Sequence, residues 1–197
     1  MRKIFTLLLY LLSFSTAFAE IIYVKPGGTG NGTSWSLAYG DLSAALAGAS
    51  AGDEIWVAQG TYFTSSQGNT TTSFNFKDGV RMFGGFSGNE AAVSERADAT
   101  GATTLLSGEL DGGLHAATIL KINNANSNLN LLDGFTIRGG MKHLTALAHG
   151  GAGIQAMNSS ITLKNVYITN NEMLVTNVFS TDEIHVGGAG IYSVGSN

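Results

Sequence analysis

Leu132-Asp133-Gly134-Phe135-Thr136-Ile137-Arg138-Gly139-Gly140 lies over Leu163-Lys164-Asn165-Val166-Tyr167-Ile168-Thr169-Asn170-Asn171 at an offset of 31 residues. In both copies two apolar residues alternate at period two, Phe135/Ile137 and Val166/Ile168, the pattern of a short strand with one buried face. Gly134 and Asn165 hold the same place just before the alternation begins. Glycine enters the left-handed region without steric penalty, and asparagine is among the few other residues that tolerate it, so the chain is expected to bend there in both copies. A period of this size marks a repeat architecture.

Downstream, Gly150-Gly151-Ala152-Gly153-Ile154 returns as Gly187-Gly188-Ala189-Gly190-Ile191 after 37 residues, with the extra length assigned to a loop over 172–186. Upstream, β-type runs start at Ile55, Val80 and Leu105, stepping by 25, 25, 30 and 31 residues through Phe135 to Val166. The runs are separated by Gly and Asn rather than by helical segments. A leucine-rich repeat would carry more leucines at fixed positions, and a propeller blade would be longer. The expected class is all-β: a right-handed parallel β-helix solenoid. Its coils would stack about 4.8 Å apart, with Val80, Phe135 and Val166 in one inward column and asparagines at like positions forming amide ladders. One α-helix is predicted from Leu42, Ala45, Leu46 and Ala49, with Asp41 as N-cap and Gly52 as stop. Placed before Ile55, it suits the role of a cap on the N-terminal end of the solenoid.

Arg2 and Lys3 followed by the apolar run Ile4–Leu12 and by Ala17-Phe18-Ala19 read as a signal peptide over residues 1–19, too short to span a bilayer. Residues 20–197 then form one β-helix domain, with an N-terminal cap over about 20–53 and coils over about 54–197. The last coil breaks off at Asn197, so the C-terminal end is read as truncated. Removing Arg2 and Lys3 leaves eight Lys/Arg against fourteen Asp/Glu, a net −6. That balance argues against nucleic acid as a partner, because phosphate neutralisation needs a basic surface. No later stretch is long and apolar enough for a transmembrane helix, so the product is expected to be secreted, or held at a surface by something outside this stretch. With Cys 0, no disulfide, thiolate metal site or cysteine nucleophile exists.

Ala51-Gly52-Asp53-Glu54-Ile55-Trp56-Val57-Ala58-Gln59-Gly60-Thr61-Tyr62 resembles the opening coil of the pectin-lyase-like right-handed β-helix proteins. Val80–Glu90, followed by Leu106–Gly112, is similar to secreted and surface β-helix proteins of the Bacteroidetes type, and the Gly-Gly-Ala-Gly-Ile pair is similar to repeats of the chlamydial polymorphic outer-membrane proteins. The resemblance covers about residues 21–197. It implies the fold, and it raises polysaccharide lyase and glycoside hydrolase chemistry, which in enzymatic members of the superfamily rests on several acids on outward positions of one sheet. In the sequence register those positions are Trp56, Arg81, Leu106, Thr136 and Tyr167, with Ala58, Phe83, Gly108, Arg138 and Thr169 beside them. None is a carboxylate, so no catalytic residue is assigned.

Three of them, Trp56, Arg81 and Tyr167, are the ligand-binding candidates, since aromatic rings flanked by Arg and Asn suit sugar stacking and hydroxyl recognition. Glu109 and Asp111, two apart, are the calcium candidates, against a bland reading as a solvated turn. Glu90, Glu95, Arg96 and Asp98 share one long loop that Arg96 is expected to pin through local ion pairs. His115, His143, His149 and His185 read as loop histidines rather than metal ligands. Gly151–Ala156 matches a dinucleotide pattern without the βαβ setting it needs, and Gly85–Asn89 lacks the setting of a nucleophile elbow. The expectation is a non-enzymatic, adhesin-like or glycan-binding module whose partner is a polysaccharide or a host or cell-surface glycan, with loops 141–149 and 172–186 carrying contacts. The alternative is a lyase or hydrolase with its catalytic coils beyond Asn197.

Overall fold

The computed structural model describes residues 19–144, 150–175 and 189–195. These form a mainly β protein with parallel sheets and one α-helix. The strands are β1 (Ile21–Val24), β2 (Glu54–Ala58), β3 (Gly60–Phe63), β4 (Phe74–Asn75), β5 (Arg81–Phe86), β6 (Thr104–Ser107), β7 (Leu120–Asn123), β8 (Leu131–Arg138), β9 (Met141–Leu144), β10 (Ile154–Met157), β11 (Thr162–Thr169), β12 (Glu172–Val175) and β13 (Ile191–Val194). A seven-stranded sheet runs β1-β2-β5-β8-β6-β3 with β11 also on β8; a four-stranded sheet runs β13-β10-β7-β4; β12 and β9 make a third.

Parallel neighbours cannot be joined by a tight hairpin, so a connection must leave the sheet and return. Here the strands of the other sheets supply that connection. β8, β9 and β10 follow one another in the chain, and then β11, β12 and β13 pair with each of them in the same order. The 31-residue overlay is the register of β8 with β11, Leu132 on Leu163, Phe135 on Val166 and Ile137 on Ile168. The recurrence of Gly-Ile after 37 residues is the register of Ile154 with Ile191.

The bends follow the expected chemistry. Gly134 and Asn165 have φ of 85° and 50°, and Asn124, Asn158 and Gly195, at equal register positions on the second sheet, have 53°, 48° and 61°. Asn124 is exposed and the left-handed conformation is its main constraint. Asn124→Gly is therefore expected to leave the urea midpoint within a few tenths of a kcal/mol, while Asn124→Val lowers stability by about 1–2 kcal/mol.

Several rows differ from the sequence register. Leu106, not Leu105, points inward, because β6 aligns Leu106 with Ile137 rather than with Thr136. Met82, not Val80, shares a row with Ile55 and Leu132. Val80 lies just before β5, so it shares the buried cluster with Phe135 and Val166 but not their row. The cause is a fork. β5 pairs with the first half of β8, up to Asp133, and β6 with the second half, from Thr136. Gly84 and Gly101 meet Gly134 and Asn165 at this branch, where an added Cβ would collide with their backbone carbonyls. Asn165 Nδ2 donates to Asp133 Oδ1 at 2.8 Å, and Asn171 Nδ2 to the Ile137 carbonyl at 3.0 Å, so each ties one layer to the previous one.

Helix α1 (Leu42–Gly48) begins as expected, with Asp41 Oδ1 accepting from the Ser43 amide at 2.7 Å. It stops earlier than Gly52, with Ala49 as its C-cap. Leu42, Ala45 and Leu46 are buried against β1 and β4, the outermost strands of their sheets. The main core joins these residues to Ile55, Val57, Phe74, Met82, Leu106, Ile119, Leu132, Phe135 and Ile154.

Candidate functional site

Pairing places Glu54, Arg81 and Leu131 in one outward row and Trp56, Phe83, Asp133 and Lys164 in the next. Two carboxylates therefore face out where the sequence register had none. Both are committed to cations. Glu54 Oε1 lies 2.9 Å from an Arg81 guanidinium nitrogen, and Glu54 Oε2 accepts from Trp56 Nε1 at 2.7 Å. Asp133 meets the Arg96 guanidinium at 3.1 Å with both side chains nearly buried, 3% and 6% exposed, and Lys164 Nζ stands 3.8 Å away.

Arg96 does pin its loop, but its ion pair is made to Asp133 of the sheet rather than to the acids of the loop. Besides Asp133 it donates to the Gly84 and Val93 carbonyls and sits 5.5 Å from the Phe83 ring centroid. The segment it anchors, together with Trp35, roofs this part of the sheet. Trp56 is thus only 3% exposed, stacked on Phe86 at 4.7 Å with Tyr23 edge-on at 5.7 Å. Trp35 packs on Tyr23 and Phe86 and donates its Nε1 to the Glu90 carbonyl. The expectation of an open Trp56 is corrected: period two correctly turned the ring away from the main core, and a second apolar layer then covered it. Tyr167 is 55% exposed but pairs with Thr136, in a different row, so the structure does not gather Trp56, Arg81 and Tyr167 on one surface.

Glu109 pairs with Arg138 at 3.4 Å, and Asp111 opens a 3-10 turn over Asp111–Gly113. Among the described residues no group of three or more His, Asp or Glu could hold a metal ion. His115 Nδ1 donates to the Gly139 carbonyl at 2.8 Å, His143 is exposed on β9, and His149 and His185 lie outside the described residues.

The surface loops are held by carboxylates. The Ser127 amide holds Asp78 below the usual carboxylate value, and the Thr100 hydroxyl and amide with those of Thr103 do the same for Asp98. For Glu90 burial opposes ionisation, but the amides of Ser87, Asn89, Glu90 and Gly88 outweigh it. A pKa lowered by folding contributes stability above the ordinary value and loses it as pH falls through the folded one. Urea midpoints should therefore stay level at neutral pH and decline below the ordinary values of 3.8 and 4.5, with Asp98→Asn flattening the decline.

A groove of about 610 Å³ was not anticipated. It lies between the start of α1, the Pro26-Gly27 turn, β3 and the loop 64–72. Alternation along β3 turns Tyr62 inward, where its hydroxyl donates to the Ala58 carbonyl and burial pushes its pKa well up, and turns Thr61 and Phe63 out. Phe63 is 52% exposed. The loop satisfies its own backbone: Ser65 Oγ accepts from the amides of Gln67 and Asn69, and Asn69 Oδ1 from the Thr71 amide and hydroxyl. Among the described residues the side chains of Ser43, Thr61, Ser66, Gln67 and Thr72 make no such bonds, and they line the groove with groups that both donate and accept. An exposed ring among free hydroxyls and an amide can hold the apolar face of a polyol while exchanging hydrogen bonds with its edge. The readable signal was Phe63 at an outward strand position followed at once by Thr64-Ser65-Ser66-Gln67. No family model, no curated protein and no solved structure matches the chain.

Proposed function

We propose that this chain is a secreted or cell-surface parallel β-helix protein, non-enzymatic, that binds polysaccharide as an adhesin-like or structural module. The order β8, β9, β10 followed by β11, β12, β13 in parallel register supports successive windings of one solenoid. The leader-like first nineteen residues support export, with Glu20 as the expected N-terminus of the exported chain. The ion pairing of Glu54 and Asp133 favours binding over catalysis, since neither carboxylate stands open to act as acid, base or nucleophile.

The observation that carries the binding reading is the groove beside Phe63. Affinity electrophoresis through gels cast with a panel of plant and microbial polysaccharides tests it. Retardation by at least one polymer is expected, without release of unsaturated or reducing ends. Phe63→Ala should weaken that retardation about tenfold, the loss of about 1.4 kcal/mol, within reach of one aromatic contact. Tyr167→Ala should leave it unchanged. Retardation lost with Tyr167 and kept without Phe63 would return the site to the sheet face, and release of cleaved product would make the protein an enzyme.

A further inference from the structure

We infer that the groove beside Phe63 selects uncharged glycans over polyuronates and takes them without calcium, an inference that rests on the glycan-binding reading above. Among its lining residues there is no Lys, Arg or His. The charged group there is Asp41, whose Oδ1 is held by the Ser43 amide. A polyuronate carries a carboxylate on each sugar and needs either a cationic side chain or a bridging divalent ion to be held in place. No cation meets it here, and Asp41 repels it. The surrounding chain adds to that repulsion, since eight Lys/Arg face fourteen Asp/Glu once the leader is excluded.

Calcium cannot reverse the preference from these residues. The ion takes about six to eight oxygen ligands, usually from several carboxylates, and the groove offers one carboxylate already half engaged. The remaining groups match a neutral sugar. Hydroxyls of Ser43, Thr61, Ser66 and Thr72 and the Gln67 amide both donate and accept, as sugar hydroxyls do, whereas an ionised carboxylate only accepts. Phe63 supplies the flat apolar contact that an uncharged pyranose face fits.

The test uses the exported chain in affinity electrophoresis against neutral polymers (xylan, galactomannan, β-glucan) and polyuronates (polygalacturonate, alginate). Each is run at low and high salt, with calcium and with a chelator. At low salt, retardation by at least one neutral polymer should exceed that by either polyuronate by about tenfold or more, with the gap narrowing as salt screens the repulsion. Chelation should change nothing. Asp41→Asn, which keeps the capping oxygen and removes the charge, should raise polyuronate retardation and leave neutral binding in place. Polyuronate binding equal to or tighter than neutral binding, or binding abolished by chelation, overturns the selectivity while leaving the glycan-binding reading standing. Retardation by none of the polymers overturns that reading itself.

Discussion

Arg96→Ala is expected to lower stability by about 3–5 kcal/mol, measured as the shift in urea unfolding followed by far-UV circular dichroism. Few surface-loop arginines would approach that figure. Arg96 does because its partner Asp133 is 3% exposed, and removing the guanidinium leaves a carboxylate in a site closed to water. Asn165 still donates to Asp133 and Lys164 lies 3.8 Å away, but Lys164 is 63% exposed and cannot replace a buried bidentate-capable group. The double variant Arg96→Met with Asp133→Leu should recover most of the loss, since exchanging a buried pair for apolar groups of similar size is often neutral or better. A single-variant cost below about 1 kcal/mol would place the pair in the class of exposed ion pairs and contradict the roofing role assigned to it.

Phe135→Ala should cost a similar amount, about 3–5 kcal/mol, by a different mechanism. Phe135 is fully buried at the centre of β8, beside the fork where β5 and β6 share that strand and below Val166 of the next layer. Truncation removes apolar contact and leaves a void in a strand held by β11 on one edge and by β5 and β6 to either side of the gap on the other, which limits collapse around it. Phe135→Leu keeps most of the volume and should cost less than about 2 kcal/mol. The same urea series reads both. Equal losses for alanine and leucine would mean that ring shape, rather than filled volume, governs the site.

Much of the local architecture was legible in the residues, because it depends on chemistry that is itself local. Asp41 before Leu42, Ala45 and Leu46 placed the start and the buried face of α1. Gly134 and Asn165 marked a bend through the conformations that only a few residue types tolerate. The overlay of β8 on β11 followed from alternation repeated at a fixed distance. What depended on distant partners was not legible. Period two turns Trp56 away from the main core but carries no information on Trp35 and the Arg96 loop, which close over it. The 25-residue step from Ile55 through Val80 put Leu105 inward and Leu106 outward, whereas the fork at β8 admits β6 in a register offset by one residue, and one residue reverses the face. The groove escaped for a related reason: its walls come from Pro26, the start of α1 and the 61–72 stretch, brought together by packing alone.

Both tryptophans of the chain, Trp35 and Trp56, lie in the outer aromatic layer, and neither belongs to the main core. Intrinsic emission is thus an optical reporter of that layer. A red shift preceding the circular dichroism transition in a denaturant series would resolve undocking of the roof as a separate event, with no label attached to the molecule.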